Sequence, residues 1–83
     1  MKRRLLIDSE VLVFMGRLKK RDREFLLRRF EAIREHPPNH VDFSHKDETG
    51  REFDGHIAER FAILFWDDLT DKHLKIMDVS WAD

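Results

Sequence analysis

Residues 49–81 read TGREFDGHIAERFAILFWDDLTDKHLKIMDVSW, and this stretch decides the fold. Apolar and polar residues alternate at positions 52–57, residues 61–66 are apolar without interruption, and residues 74–79 form a third apolar-rich segment. Alternation is typical of a strand with one buried face, and a short continuous apolar run is typical of a strand buried on both faces. We therefore predict three strands joined by turns at residues 58–60 and 67–72, with residues 61–66 as the central strand.

The preceding half of the chain is predicted to contain two amphipathic helices. The first follows an N-cap at Ser9 and ends near residues 19–21, and the second follows an N-cap at Asp22 and stops before Pro37. Their short connection predicts an antiparallel hairpin. Short strands are predicted at residues 4–7 and 41–46, and a turn follows in which Gly50 takes a positive φ. The sequence thus predicts one α+β domain over residues 1–83, a two-helix hairpin packed on a small, mainly antiparallel sheet.

Composition limits the setting in which this domain works. The chain has 83 residues and no cysteine, so disulfides and thiolate metal sites are excluded, and we expect a cytoplasmic protein. The apolar run after Arg4 is too short for a signal peptide or a membrane span, so no membrane partner is expected. Residues 1–36 hold an excess of Lys and Arg, and residues 37–83 hold an excess of Asp and Glu. This polarity suits a charged partner on the helical side, although basic residues also serve simply to solvate helices.

The two faces of the predicted sheet differ in character. If residues 58–60 form a three-residue turn, Ile57 lies opposite Phe61. The face beneath the helices then carries Phe53, Gly55, Ile57, Phe61, Ile63 and Phe65. The other face carries Glu52, Asp54, His56, Ala62, Leu64 and Trp66, a mixture of polar groups and an exposed apolar patch. Such a patch is typical of a partner site, which includes a homodimer formed through this face.

His56 is the leading candidate for chemistry, because the predicted register places it near Asp54 and Arg60 on the exposed face. A neutral imidazole beside a carboxylate can act as a general base near neutral pH. An arginine at the same place can stabilise charge that develops on a phosphate. The alternative is a surface histidine with no chemical task.

Arg51 is the third candidate site residue. It follows the predicted turn, and together with His45 and Lys46 it forms a second basic patch that suits phosphate contacts. The alternative is that these side chains only keep the turn soluble. We therefore name His56, Arg60 and Arg51 as candidate catalytic residues.

No metal or cofactor site is expected. The polar set His36, His40, Asp42 and His45 matches no tight metal-ligand spacing. The chain also lacks a glycine loop for phosphates and a nucleophile elbow. Leu64, Trp66 and Trp81 are typical of a binding anchor, although Trp81 has the alternative role of folding back to seal the core.

The element order resembles that of the RelE/ParE toxin superfamily. The resemblance rests on the short first strand, the helical hairpin closed by prolines, the turn at residues 49–51 and a central strand that opens on Arg60-Phe61-Ala62-Ile63. It implies a microbial-ribonuclease-like fold and a toxin of a two-gene toxin–antitoxin system, neutralised by a small antitoxin that wraps across it. RelE-type members cut messenger RNA on the ribosome, whereas ParE-type members poison DNA gyrase.

The chain departs from the RelE-type pattern at three places. The strand before the central one, normally basic in those enzymes, reads Glu52-Phe53-Asp54-Gly55-His56, so an acidic open face is expected. Ala62 stands where those enzymes place an arginine early in the central strand, and residues 80–83 replace a tail that carries an arginine and a Tyr or His. Two hypotheses follow. One is a ribosome-dependent endoribonuclease that uses His56, Arg60 and Arg51. The other is a non-catalytic relative, either a ParE-like gyrase inhibitor or an inert module that binds an antitoxin or itself.

Overall fold

The computed structural model describes residues 3–82, so the predictions that involve Met1, Lys2 and Asp83 lie outside the described residues. The elements, in chain order, are β1 (Arg4–Ile7), α1 (Ser9–Gly16), α2 (Lys20–Glu35), a 3₁₀ helix (Pro37–His40), β2 (Phe43–Lys46), β3 (Glu52–Ala58), β4 (Phe61–Asp68) and β5 (His73–Trp81). The predicted α+β class is confirmed. Within residues 3–82, neither α-helix has the length and apolar character that a membrane crossing requires.

The five strands form one mixed sheet in the order β1-β5-β4-β3-β2. β1 runs parallel to β5, and the remaining neighbours are antiparallel. β4 is the central strand, as its continuous apolar run predicts. The first strand of the chain therefore lies at one edge of the sheet beside the last strand, and β2 forms the other edge.

The core lies between the helices and one face of the sheet. The helices contribute five buried apolar side chains, Val11, Met15, Leu26, Phe30 and Ile33. The sheet contributes Ala58, Phe61, Ile63, Phe65, Leu74, Ile76 and Val79. Each fully buried Leu, Ile or Phe contributes about 1.5–3 kcal/mol relative to an exposed one, so this layer supplies most of the driving force for folding. The buried side chains of both helices face this layer, whereas Leu12, Val13 and Leu27 on the helices are exposed.

The register of β3 differs from the expected one by a single residue. The turn contains only Glu59 and Arg60, so Ala58 pairs with Phe61 and His56 pairs with Ile63. A slip of one residue sends every side chain of a strand to the opposite face. Phe61, Ile63 and Phe65 lie beneath the helices as predicted, but the same prediction for Phe53, Gly55 and Ile57 is wrong. Glu59 makes the tight turn possible because it adopts a left-handed conformation, with φ of 54°.

The helix starts also differ from those predicted. Asp8 caps α1, because its side chain accepts a hydrogen bond from the Glu10 backbone N–H at 2.9 Å, and Ser9 is already helical. α2 begins at Lys20 without a side-chain cap. Asp22, predicted as the N-cap, lies inside the first turn of α2, and its carboxylate pairs with Arg60. The hairpin connection is therefore only residues 17–19 long, and all three residues are exposed or half-buried.

Candidate functional site

The sheet face away from the helices, here called the open sheet face, is more apolar than predicted. The register places eight apolar or small residues on it: Leu6, Phe43, Phe53, Gly55, Ile57, Ala62, Leu64 and Trp66. Within residues 3–82 no helix covers them, and Leu6, Ile57 and Trp66 are 42%, 45% and 41% exposed. The expected acidic character is wrong, because Asp54 and His56 share the face of Ile63 and Phe65. A contiguous exposed apolar surface marks an interaction site.

Gly55 and Phe43 shape the middle of the open sheet face. They pair across β2 and β3, and the Phe43 ring lies directly on the glycine. A Cβ atom at position 55 would come within 2.2 Å of the Phe43 Cζ atom, so the ring can occupy this position only beside a glycine. Phe53, on the same face, is only 8% exposed although it is outside the main core. These aromatic residues form a second, smaller apolar layer on the open side.

His56 lies between the sheet and the 3₁₀ helix. Its Nδ1 atom is 2.8 Å from Asp42 Oδ2, and the Ile57 backbone N–H donates to the same oxygen at 2.8 Å. The His40 ring meets the imidazole edge-on, with ring centroids 5.1 Å apart. The Nε2 atom of His56 is buried and has no hydrogen-bond partner. The carboxylate that orients His56 is therefore Asp42, and the nitrogen that would accept a proton from a substrate is closed off.

The charges around His56 follow from these contacts. The hydrogen bond from Ile57, together with that from His56, lowers the pKa of Asp42. Burial lowers the pKa of His40, and the neighbouring His56 and Arg29 lower it further. The cluster therefore favours an ionised Asp42 beside a neutral His40.

Asp54, the carboxylate predicted to assist His56, lies elsewhere on the helical side. Burial raises the pKa of Asp54, and the negative charges of Asp67 and Glu52 raise it further. Asp67 is itself paired with Arg3, at 2.6 Å between Nε and Oδ1. Asp54 is thus part of an acidic group at the β4–β5 end of the sheet.

Arg60 lies in the β3–β4 turn and remains accessible. Its guanidinium donates to Asp22 Oδ1 at 2.6 Å and lies 5.7 Å from the ring centroids of both Phe61 and Trp81. Its side chain is nevertheless 60% exposed. Since arginine carries five N–H donors, several remain for a ligand.

Arg51 is held in the β2–β3 turn by Asp47. The Arg51 backbone N–H donates to Asp47 Oδ1 at 2.9 Å, and its Nε donates to Oδ2 at 3.3 Å. Its guanidinium also lies 5.6 Å from the Phe53 ring centroid. The surface position of Arg51 agrees with the turn-solubility alternative as well as with a phosphate contact.

The structure does not bring the three candidate catalytic residues together. Arg51 precedes β3 and Arg60 follows it, so the seven residues of the strand separate them. At about 3.3 Å per residue, that strand is roughly 23 Å long, which is too far for both guanidinium groups to bind one phosphate. His56 lies between them and faces the interior. Each residue can act alone, but they form no shared reaction centre.

A groove that sequence reasoning missed surrounds Arg60 at the helical-hairpin end of the molecule. Three adjoining cavities of about 490, 400 and 370 Å³ all have Arg60 in their walls. The lining of this hairpin-end groove consists of Arg17, Leu18, Lys19, Arg21, Asp22, Phe25, Arg28, Glu59, Arg60, Trp81 and Ala82. The dense basic run at residues 17–21 is a sequence signal that could have indicated one wall of this groove. Its meeting with Arg60 and Trp81, some 40 to 60 positions later, depends on tertiary packing.

Trp81 takes the alternative role predicted for it, because it folds against the core on the helical side of the sheet. It is the last residue of β5 and pairs with Phe61, whose ring it stacks against at 4.9 Å. It also meets the Phe14 ring at 5.7 Å. At the same time 48% of the residue is exposed and forms a wall of the hairpin-end groove. Trp81 therefore seals one end of the core and presents an aromatic surface to solvent.

Four polar residues were considered for a metal, His36, His40, Asp42 and His45. Across residues 3–82, no set of three or more His, Cys, Asp or Glu side chains is placed to hold a metal ion. His40 and Asp42 instead contact His56.

In comparison with known proteins, no protein-family model and no curated protein sequence matches this chain. The features that bear on function are therefore the open sheet face, the His56–Asp42 pair and the hairpin-end groove.

Proposed function

We propose that this chain is the toxin of a two-gene toxin–antitoxin system of the RelE/ParE kind, and that its antitoxin binds across the open sheet face. The observation that supports this proposal is the uncovered apolar surface that includes Ile57, Leu64 and Trp66. Covering an apolar surface contributes about 25 cal/mol per Å², so a partner that lies on this face gains affinity without any change in the toxin fold. The family resemblance in element order supports the same proposal.

The chemistry of the open sheet face specifies the type of antitoxin segment. Lys75 lies over the Trp66 ring, with its Nζ atom 4.8 Å from the ring centroid, and it belongs to the polar row that β5 adds to this face. The apolar side chains of β2, β3 and β4 lie beside that row. An amphipathic segment fits this surface, with apolar residues on Ile57 and Leu64 and a polar edge along β5.

For the mode of action, the geometry favours inhibition by contact with a cellular target over cleavage of messenger RNA. A general base requires an accessible nitrogen, and His56 Nε2 is buried. Arg51 and Arg60 lie at opposite ends of β3. ParE-type poisoning of DNA gyrase is the family's example of action by contact.

Ribosome-dependent endoribonuclease activity is the second candidate, and the observation that favours it is Arg60. Its side chain is 60% exposed, and the other cations of the hairpin-end groove surround it. A phosphate of a messenger RNA could reach this guanidinium, which is suited to stabilising developing charge.

The first experiment tests the toxin–antitoxin assignment and the antitoxin surface together. The chain is induced alone and together with the neighbouring gene, as wild type, as Ile57→Arg on the open sheet face, and as Leu27→Arg on an exposed part of α2. We expect all three proteins to arrest growth alone. The neighbouring gene should rescue wild type and Leu27→Arg but not Ile57→Arg. Normal growth with soluble wild-type protein present would remove the toxin proposal.

The second experiment separates contact from cleavage. Growth arrest and messenger RNA integrity are measured for His56→Ala, Arg60→Ala and Arg51→Ala. Action by contact predicts intact messages for the wild type during arrest. Message cleavage that is lost in one of the three variants would establish the endoribonuclease instead.

A further inference from the structure

The hairpin-end groove has a charge that the proposed antitoxin contact does not use. Five cationic side chains, Arg17, Lys19, Arg21, Arg28 and Arg60, line it together with only two carboxylates, Asp22 and Glu59. Asp22 is already paired with Arg60. Within residues 3–82, the other four cations form no ion pair. The groove therefore carries uncompensated positive charge and suits an anionic ligand.

The fold concentrates this charge in one place. Arg21 and Arg28 are seven residues apart on α2, so two helical turns separate them and they lie on the same face. The short β3–β4 turn adds Arg60 beside them, and all three line one cavity of about 400 Å³. Three guanidinium groups around one cavity match the geometry of phosphate oxygens, which accept paired N–H donors.

The same groove offers an aromatic surface beside that cavity. Trp81 lines the two cavities of about 490 and 370 Å³, and Arg60 connects them to the guanidinium cluster. Phe25, the other aromatic lining residue, stacks on Phe61 at 6.2 Å and lies beneath Arg29. Trp81 is therefore the exposed ring in the lining, and a planar group can stack on it.

We propose that the hairpin-end groove binds a nucleoside polyphosphate, with the base against Trp81 and the phosphates among Arg21, Arg28 and Arg60. The cavity volumes suit a small ligand. A single-stranded nucleic acid that follows a groove uses successive exposed rings, whereas here one exposed ring adjoins one cluster of cations. Asp22 holds the Arg60 guanidinium in position and leaves its remaining donors to the phosphates. This inference does not depend on the toxin proposal.

The test uses the fluorescence of Trp81 in the full chain. Trp66 on the open sheet face is replaced in Trp66→Phe, so that Trp81 is the remaining tryptophan. ATP is titrated at low and at physiological salt. We expect saturable quenching that weakens as salt rises, because salt screens the attraction between the arginines and the phosphates. Absence of quenching at millimolar ATP in low salt would overturn the proposal.

Variants locate the site. Arg21→Gln and Arg28→Gln should each weaken ATP binding roughly tenfold, the loss expected for a charge-assisted hydrogen bond. Neither arginine has a carboxylate partner in residues 3–82, so the fold should persist, and circular dichroism checks it. Lys72→Gln, in the β4–β5 turn at the other end of the sheet, is the matched control and should bind as the parent does. Equal weakening in Lys72→Gln would show nonspecific charge attraction and contradict the site.

Ligand fragments decide between occupants. Adenosine and inorganic triphosphate should each bind more weakly than ATP, because each lacks one half of the recognition. Triphosphate that binds as tightly as ATP would contradict the stacking on Trp81. If a short single-stranded RNA binds far more tightly than ATP, the ligand of the groove is a nucleic acid strand and the nucleotide proposal is wrong. Each result is independent of growth arrest, so this proposal and the toxin proposal can fail separately.

Discussion

At the scale of single residues, His56 shows that a turn one residue shorter than predicted changes which groups a candidate site residue contacts. Sequence spacing suggested Asp54 as its partner on an exposed face, but the observed partner is Asp42, fourteen positions earlier in the chain. Asp42 also receives the Ile57 N–H, and its own backbone N–H donates to the Gly55 carbonyl oxygen at 2.7 Å. Asp42 thereby extends the β2–β3 ladder by one residue before the start of β2. A side chain that replaces a backbone partner in this way leaves no periodic signal in the sequence.

His40 predicts a pH-dependent stability. Its folded-state pKa is lowered below 6.5, so the unfolded chain binds the proton more readily than the folded chain. The free energy of unfolding should therefore fall as pH drops through and below 6.5, with His56, Asp42 and Arg29 as the charged or titratable groups that face the ring. Urea denaturation at about pH 7.5 and pH 5.5 measures this, since histidine titrates in that window.

His40→Gln should reduce that loss of stability at acidic pH. Asn39→Gln in the same 3₁₀ helix changes no titrating group and serves as the control, which should retain the wild-type dependence. An unchanged pH dependence in His40→Gln would assign the effect to another group.

Gly55 predicts a steric coupling on the open sheet face. Gly55→Ala places a methyl group where the Phe43 ring lies, so the ring must move. We expect a loss of about 1–3 kcal/mol in the free energy of unfolding, the usual cost of overpacking. In a Phe43→Leu background the same substitution should cost less, and urea denaturation of the four proteins gives the coupling energy. Additive losses would show that the ring does not oppose the methyl group.

At the scale of elements, apolar runs and hydrophobic periodicity predicted the five strands and both α-helices, but caps and turns set their ends. The predicted end of the first helix near residues 19–21 is wrong, because α1 ends at Gly16. The N-cap Asp8 precedes the predicted Ser9 by one residue, and Lys19 precedes α2 without a capping side chain. A glycine in a turn indicates a left-handed backbone, and Gly50 adopts one, with φ of 87°. Glu59 and Lys72 adopt the same region without that signal, at 54° and 58°. The two-residue β3–β4 turn, and with it the register of β3, was therefore not predictable from turn composition.

The turn at Glu59 predicts a stabilising substitution. Glu59→Gly removes the steric cost of a left-handed non-glycine residue, which exceeds the added entropy of the unfolded chain. We expect a gain of up to about 1 kcal/mol in the free energy of unfolding by urea denaturation. Gly50→Ala, where glycine already adopts positive φ, should change stability in the opposite direction. A loss of stability in Glu59→Gly would mean that the Glu59 side chain makes a contact worth more than the strain.

At the scale of the whole molecule, the α+β class and the central position of β4 followed from the sequence, but the hairpin-end groove did not. Its walls come from the helix connection, α2, the β3–β4 turn and the end of β5. Arg17 and Trp81 approach one another only because β5 ends beside the start of β4. Sites built from distant segments depend on packing, which periodicity does not describe.

The open sheet face predicts the behaviour of the isolated chain. Without the antitoxin proposed above, two copies can cover this face for each other, so the wild-type mass in solution should rise with concentration. Ile57→Lys combined with Trp66→Lys should keep the chain monomeric, because it places two charges in the exposed apolar part of this face, and circular dichroism checks that the variant is folded. Light scattering over a concentration series measures the mass. A wild-type monomer at every concentration would remove the homodimer prediction.

The parallel pairing of β1 with β5 has a consequence for the order of assembly. Leu5 aligns with Leu74, so among the strands of residues 3–82 the first pairs with the last. Contacts between such remote segments form late, because most of the intervening chain must first be brought together. A nascent polypeptide therefore cannot complete this sheet until β5 has been synthesised and has paired with β1.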